Sequence, residues 1–328
     1  MACCLLVTHT GHPLQAARMP ENQNIKVNEM FFSIRNKLNK SWFDWRVRKV
    51  FDTKVAKCDP NSNLVILSQL YHPDLAMFMV AAKSFSRYVQ PYKYVIVDDG
   101  LTDPDRDMLR GHFENIDFIK TEQVDTGSCP RKGCWERLIS IADLNADHYV
   151  IQLDADTLTL DEPAEVLGCL NSSHSFTLGT PGGQRIIHLA KASEIASGYG
   201  GDHVQVLAEQ ALAQLPSRLG NYYVHGCAGF AGFSPGSVRR DAVEAFSASM
   251  MDLLGKGKWA EWGSEQVTSN FIVANSPQAQ ILPISTYPFW KPGVDLSKAK
   301  FLHFFGTHRF EGGEYIRSSN KVISALPA

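Results

Sequence analysis

Hydrophobic and polar positions change period several times along this chain, and each change marks an element. Residues 8 to about 28 are polar, contain Pro13 and Pro20 and show no period, which predicts a poorly ordered leader over 1–28. From 29 onward Phe31, Ile34, Leu38, Trp42 and Trp45 recur at helical spacing among Arg35, Lys37, Lys40, Arg46, Arg48 and Lys49. That pattern predicts a basic amphipathic helix over 29–50, with a linker running to 60. Such a helix suits contact with an anionic membrane surface, or an aromatic stripe packed on the domain beside it. The sequence leaves both uses open.

From Asn63 the period alternates between that of strands and that of helices. Strands are predicted over 64–67, 94–97, 116–119 and 149–153, and helices over 74–88, 103–113 and 135–144. Regular alternation implies an α/β domain over 61–328, its mostly parallel sheet flanked by helices, with ligands bound outside the carboxyl ends of the strands. Asp98, Asp99, Asp154 and Asp156 all fall at such ends. The stretch 172–223 is rich in Gly, Ser, His and Gln, including Pro181-Gly182-Gly183 and Tyr199-Gly200-Gly201. It predicts inserted loops around a helix at 204–215; these either select the acceptor or simply connect helices over the surface.

Composition narrows the classes. With 328 residues, 44% hydrophobic and 20% charged, the chain can bury a full core. A net charge of −2 and a pI near 6.6 argue against a nucleic-acid binder, which needs a strongly basic face. Seven scattered cysteines without a CxxC pair point to reduced thiols and a cytoplasmic setting. The only apolar run near the start, Ala2 to Val7, lacks the basic lead-in of a secretory signal, and no stretch approaches a spanning helix.

The richest chemistry sits where the apolar run 149–153 ends in Asp154-Ala155-Asp156. In extended backbone, side chains two apart leave on one side, so both carboxylates can face one target while Ala155 turns away. Paired acids are common in turns and helix caps, but placing them at the end of a buried strand is costly unless a cation binds there. A hard divalent ion held by carboxylates is usually completed by water and phosphate oxygens, which implies a nucleotide or sugar-phosphate partner.

At this point the residues resemble a known family. Leu153-Asp154-Ala155-Asp156-Thr157-Leu158 resembles the DxD element of GT-A (Rossmann-like) glycosyltransferases, most closely glycosyltransferase family eight, the glycogenin and lipopolysaccharide galactosyltransferase group. Trp135-Glu136-Arg137-Leu138, Ala228-Gly229-Phe230, Glu265-Gln266 with Asn270, and His303-Phe304-Phe305-Gly306-Thr307-His308-Arg309 follow in that family's order. The last departs from its pattern: Arg309 stands for a lysine, and the usual proline and tryptophan are missing.

The resemblance implies Asp154, Asp156 and His303 as metal ligands, Mn²⁺ ahead of Mg²⁺ because imidazole is a poor magnesium ligand. It implies Arg309 and Gly306 at the donor diphosphate and Arg137 at donor phosphate or sugar, with Lys132 there too unless it lies on a solvated helix face. Val97-Asp98-Asp99-Gly100 instead resembles inverting family-two enzymes; it gives Asp99 to the nucleobase and leaves Asp98 structural. Glu265, with Glu261 in reserve, would be the base of an inverting transfer. In a retaining one, the reading preferred here, Gln266 would line the reactive face of the sugar and Glu265 would orient hydroxyls. The expected activity is metal-dependent hexosyl transfer from a nucleotide sugar, UDP-sugar first, to a glycan or lipid-linked acceptor. The rivals are a non-catalytic sugar-nucleotide binder and a nucleotidyltransferase; the latter would need a Gly-rich loop after the first strand, where Ser68-Gln69-Leu70-Tyr71 stands.

Overall fold

Alternation along the central strands decides which side of the sheet each residue faces. In β1 (Leu64–Leu70), Leu64 and Ile66 enter one hydrophobic cluster, whereas Val65 and Leu67 enter a second on the opposite face. A strand apolar on both faces must be covered on both, and helices do the covering. The structure, a computed structural model, describes residues 35–327.

Helix α1 is described over 35–47. After β1 come α2 (Leu75–Phe85), β2 (Lys93–Asp98), α3 (Asp103–His112), β3 (Ile116–Lys120), α4 (Trp135–Asn145) and β4 (Tyr149–Leu153). Each matches a predicted element to within a few residues. Next are β5 (Thr157–Thr159), α5 (Ala164–Ser172), β6 (Phe176–Gly179), β7 (Ile187–His188), α6 (Leu189–Ala196), α7 (Val204–Ala211), β8 (Tyr222–Tyr223) and β9 (Gly226–Phe233). The chain closes with α8 (Arg240–Leu254), α9 (Lys256–Trp259), α10 (Ser264–Asn275), β10 (Gln280–Leu282), β11 (Phe301–His303) and α11 (Glu314–Ile323).

The seven-stranded sheet runs β10-β6-β9-β4-β1-β2-β3. It is parallel except at β9, which pairs antiparallel with β4 and β6. The mostly parallel α/β fold expected from the sequence is therefore the fold found, with one reversed strand that the strand pattern did not reveal. Reversal matters: β9 enters the sheet at the edge where β4 leaves it, so Gly229 and Phe230 lie beside the Asp154 loop, with Leu153 opposite Phe230. A second, two-stranded antiparallel pairing of β5 with β11 sets His303 opposite Thr157.

Helix α1 shares the core of the α/β domain: Phe43 and Val47, with Val50 in the 3-10 turn that follows, are fully buried in the cluster that holds Ile66, Phe78 and Tyr315. The residues doing this packing are not the expected stripe. Leu38, Trp42 and Trp45 face outward, 66%, 51% and 52% exposed, which corrects the packed-stripe reading for these three. Phe31, Ile34 and the expected leader lie outside the described residues. Among the described residues no helix is long and apolar enough to cross a membrane.

Candidate active site

Three chain segments converge on the Asp154 loop. The backbone N–H of Asp154 donates to Gly229 O at 2.9 Å, and the Thr157 hydroxyl returns to Asp154 O at 2.7 Å. The N–H of Phe304 donates to Asp156 O at 2.8 Å, locking β11 against the loop. The result is a cluster in which one donor atom each from Asp154, Asp156 and His303 lies within 4.8 Å of the others, all buried.

That cluster fits a divalent ion. An ion about 2.1 Å from three ligands holds them within roughly 4.2 Å of one another, so a few tenths of an ångström of side-chain movement closes the set. The imidazole supplies the clearest sign. Fully buried His303 Nε2 lies 3.2 Å from Asp156 Oδ1, a charged contact without the alignment of a hydrogen bond. Its Nδ1 meets Cys227 Sγ at 3.7 Å.

Two guanidiniums brace the acids. Arg309 Nη2 donates to Asp156 Oδ2 at 2.5 Å and its Nε to Phe304 O at 2.8 Å. Arg137 Nη1 donates to Asp154 Oδ1 at 2.6 Å, while its Nη2 reaches both oxygens of Glu265 at 3.2 and 3.3 Å. Charges this deeply buried persist only when paired and hydrogen-bonded.

The acids respond differently because their partners differ. Burial raises the Asp154 carboxyl and outweighs Arg137, whose charge is shared with Glu265. Burial also opposes ionisation of Asp156, yet Arg309 and His303 together hold it well below the usual carboxylate range. For His303, burial disfavours the charged ring, but the Asp156 carboxylate prevails and lifts its pKa to about 10. Without an ion the imidazole therefore carries a proton, a single positive charge where a divalent cation would bring two.

The cleft over this cluster has a cavity volume of about 120 Å³ and is lined by Asp99, Arg137, Asp154, Asp156 and Arg309 among others. Asp99 sits at its rim and accepts from Gln69 Nε2 at 3.1 Å. Asp98 is buried: its Oδ1 accepts from the N–H groups of Gly100 and Leu101 at 3.1 and 2.7 Å, and its Oδ2 from Arg106 Nε at 2.8 Å. Gly306 opens the exposed turn before Arg309 with φ +64. Lys132 is exposed, and its backbone N–H, not its side chain, is tied to Glu136 at 2.9 Å. It lies outside the cleft lining, unlike the neighbouring Gly133 and Cys134.

Glu265 and Gln266 stand behind the cleft. Glu265 is buried against Arg137, and Gln266 Oε1 accepts from Ala228 N at 3.3 Å. Glu261 is exposed and paired with Lys258 at 2.6 Å. Sequence reasoning missed Tyr71, Asp74 and Trp262, which also line the cleft. The available signal was position: Tyr71 and Asp74 follow the carboxyl end of β1, the edge where parallel sheets bind ligands. Asp74 is buried there, and desolvation raises its pKa despite the nearby positive charge of Arg309.

No protein-family profile and no curated protein matches the sequence. Solved structures do. The galactosyltransferase LgtC, in complex with donor and acceptor sugar analogs, superposes with a TM-score of 0.52 at 16% identity, over 80% of this chain and 96% of that one. The bifunctional glycosyltransferase WbbM, in its apo form, gives 0.51 at 14% identity over 81% of this chain and 50% of the other. At such identities the likeness shows the fold: this chain has the GT-A fold of glycosyltransferases.

Proposed function

We propose that a chain with this fold moves a sugar from a nucleoside-diphosphate sugar, UDP-sugar first, onto a hydroxyl of a glycan or lipid-linked acceptor. The observation that carries the reading is the meeting of Asp154 and Asp156, which line a cleft on the carboxyl edge of the sheet, with the fully buried His303 packed against them. Asp154, Asp156 and His303 would hold the ion, Mn²⁺ ahead of Mg²⁺ because one donor is nitrogen. When bound, the ion supplies positive charge against the departing diphosphate.

The chain's own residues do the rest. Arg309, on the cleft wall, keeps a guanidinium at the height of the metal ligands, where two of its N–H groups can hold phosphate oxygens. Arg137 fixes the rotamer of Asp154 from the wall of the cleft in which the donor would sit. Asp99 at the rim accepts from the nucleobase. Glu265 acts through Arg137: both its oxygens engage that guanidinium, which makes it a positioning residue rather than the base of an inverting transfer. That supports transfer with retention, with Gln266, anchored to β9 at Ala228, beside the sugar. The free thiols among the described residues suit a reducing, cytoplasmic setting.

Donor hydrolysis tests the reading. UDP-, GDP- and ADP-sugars incubated without acceptor should release nucleoside diphosphate slowly from one donor class. Release should need Mn²⁺ and stop in Asp154→Asn and Asp156→Asn. No release from any donor, together with tight binding of one, would instead make the protein a sugar-nucleotide binder.

A further inference from the structure

Helix α1 has two apolar stripes, and the other described residues cover only one of them. Phe43 and Val47 are buried, Phe43 against Tyr315 with ring centroids 4.2 Å apart. At about 100° per residue, Leu38, Trp42 and Trp45 fall in one sector on the opposite side of the helix. The two tryptophans stack with centroids 4.9 Å apart and remain half exposed. The other large exposed apolar side chains, such as Met108, Ile195 and Leu253, are spread one to an element. Three together on one stripe form a patch, and patches of this kind mark contact surfaces.

Charge identifies the contact. Lys37, Arg46, Arg48 and Lys49 are all exposed around the stripe. Arg46 lies over the Trp42 ring at 5.4 Å and Arg48 over the Trp45 ring at 4.8 Å. The acid within 35–50, Asp44, is already paired with Lys40 at 2.6 Å. An apolar aromatic strip bordered by cations complements a surface with negative headgroups above hydrocarbon. Tryptophan favours that boundary because its ring is apolar and its N–H is polar.

We infer that the Leu38–Trp42–Trp45 face of α1 docks on the surface of an anionic bilayer. The helix lies against it in the plane of the headgroups, apolar strip inward, with the basic side chains among the lipid charges. The same helix backs the cleft. Phe43 packs on Tyr315, which stacks on Phe304 at 4.1 Å and donates its hydroxyl to Ala155 O at 3.3 Å, between the two aspartates. Docking there holds the donor cleft close to the lipid surface; on the glycosyltransferase reading, this favours a lipid-borne acceptor.

The test needs neither donor nor acceptor, so its failure is separate from failure of the catalytic reading. The full chain is sedimented with vesicles of equal parts phosphatidylcholine and phosphatidylglycerol, and with phosphatidylcholine alone. Binding should appear with the mixed vesicles, shift tryptophan emission to the blue and weaken with salt. The triple variant Leu38→Ser, Trp42→Ser, Trp45→Ser should bind at least roughly tenfold more weakly. Its circular dichroism should be unchanged, since these side chains are exposed. Absence of binding to the mixed vesicles, or equal binding by the variant, overturns the inference. So does a concentration-dependent dimer that the variant abolishes, because a second copy would then cover the face.

Discussion

Gly229 on β9 lies flat against the imidazole of His303. A Cβ at position 229 would stand 2.3 Å from His303 Cε1 and 2.9 Å from its Nδ1, closer than any real contact. The small residue thus creates the space in which a fully buried histidine aims Nε2 at Asp156.

Gly229→Ala is therefore expected to push the ring off the cluster. Overpacking of this kind costs about 1–3 kcal/mol. Because it moves a proposed metal ligand, Mn²⁺ affinity should fall at least roughly tenfold. Thermal unfolding with and without Mn²⁺ reads both effects, and a variant that is destabilised yet binds Mn²⁺ normally would separate the glycine from the site.

Arg137 joins Asp154 to Glu265 in the interior. Arg137→Ala leaves two buried carboxylates facing each other without a cation, and removing one partner of such a network typically costs about 3–5 kcal/mol. Glu265→Gln is the milder change, because an amide still accepts from the guanidinium. It should keep the fold and lower turnover with little change in Mn²⁺ affinity. Urea unfolding and a Mn²⁺ titration of the two variants check this; equal stability of Arg137→Ala and wild type would contradict it.

Protonation of His303 sets the pH dependence. Its pKa rises from 6.5 to about 10 on folding, so in the ion-free protein its contribution to stability is complete below pH 6.5 and lost as pH climbs through 10. A bound ion must displace that proton. Mn²⁺ affinity should therefore increase with pH through the neutral range, with about one proton released per ion. Calorimetry in buffers of different ionisation enthalpy measures the release. No proton release at neutral pH would mean the ring is already neutral or takes no part.

Arg309 replaces the lysine that the resemblance leads one to expect, and its Nε is tied to Phe304 O while Nη2 meets Asp156. Arg309→Lys keeps the charge but loses the fork, so donor KM should rise about tenfold with kcat less affected. Arg309→Met should lose both. Steady-state donor hydrolysis separates the two outcomes; a lysine variant equal to wild type would show that charge alone suffices.

Much of this site was legible in the sequence because its parts lie at strand ends. Burial on both faces makes β4 an uninterrupted apolar run, so the sudden arrival of Asp154 and Asp156 marked an edge. Asp98 closes β2 as a buried turn residue, and Asp99 after it stands at the rim of the cleft. What stayed hidden depended on tertiary pairing. The direction of β9 is not written in its period, so the approach of Gly229 to His303 was unreadable. The inward turn of Glu265 follows from Arg137, a partner 128 residues away. Helix α1 misled for a local reason: its most conspicuous aromatics form the exposed stripe, while the quieter Phe43 and Val47 make the packing contact.

One divalent ion is expected to be held by Asp154, Asp156 and His303. Titration of the purified chain with Mn²⁺, followed by electron paramagnetic resonance, tests it most directly. Wild type should bind a single ion per chain, with nitrogen coupling from the imidazole, and Asp156→Asn and His303→Ala should each lose it. Binding that persists in both variants, or a wild-type chain that takes up no ion, would contradict the account.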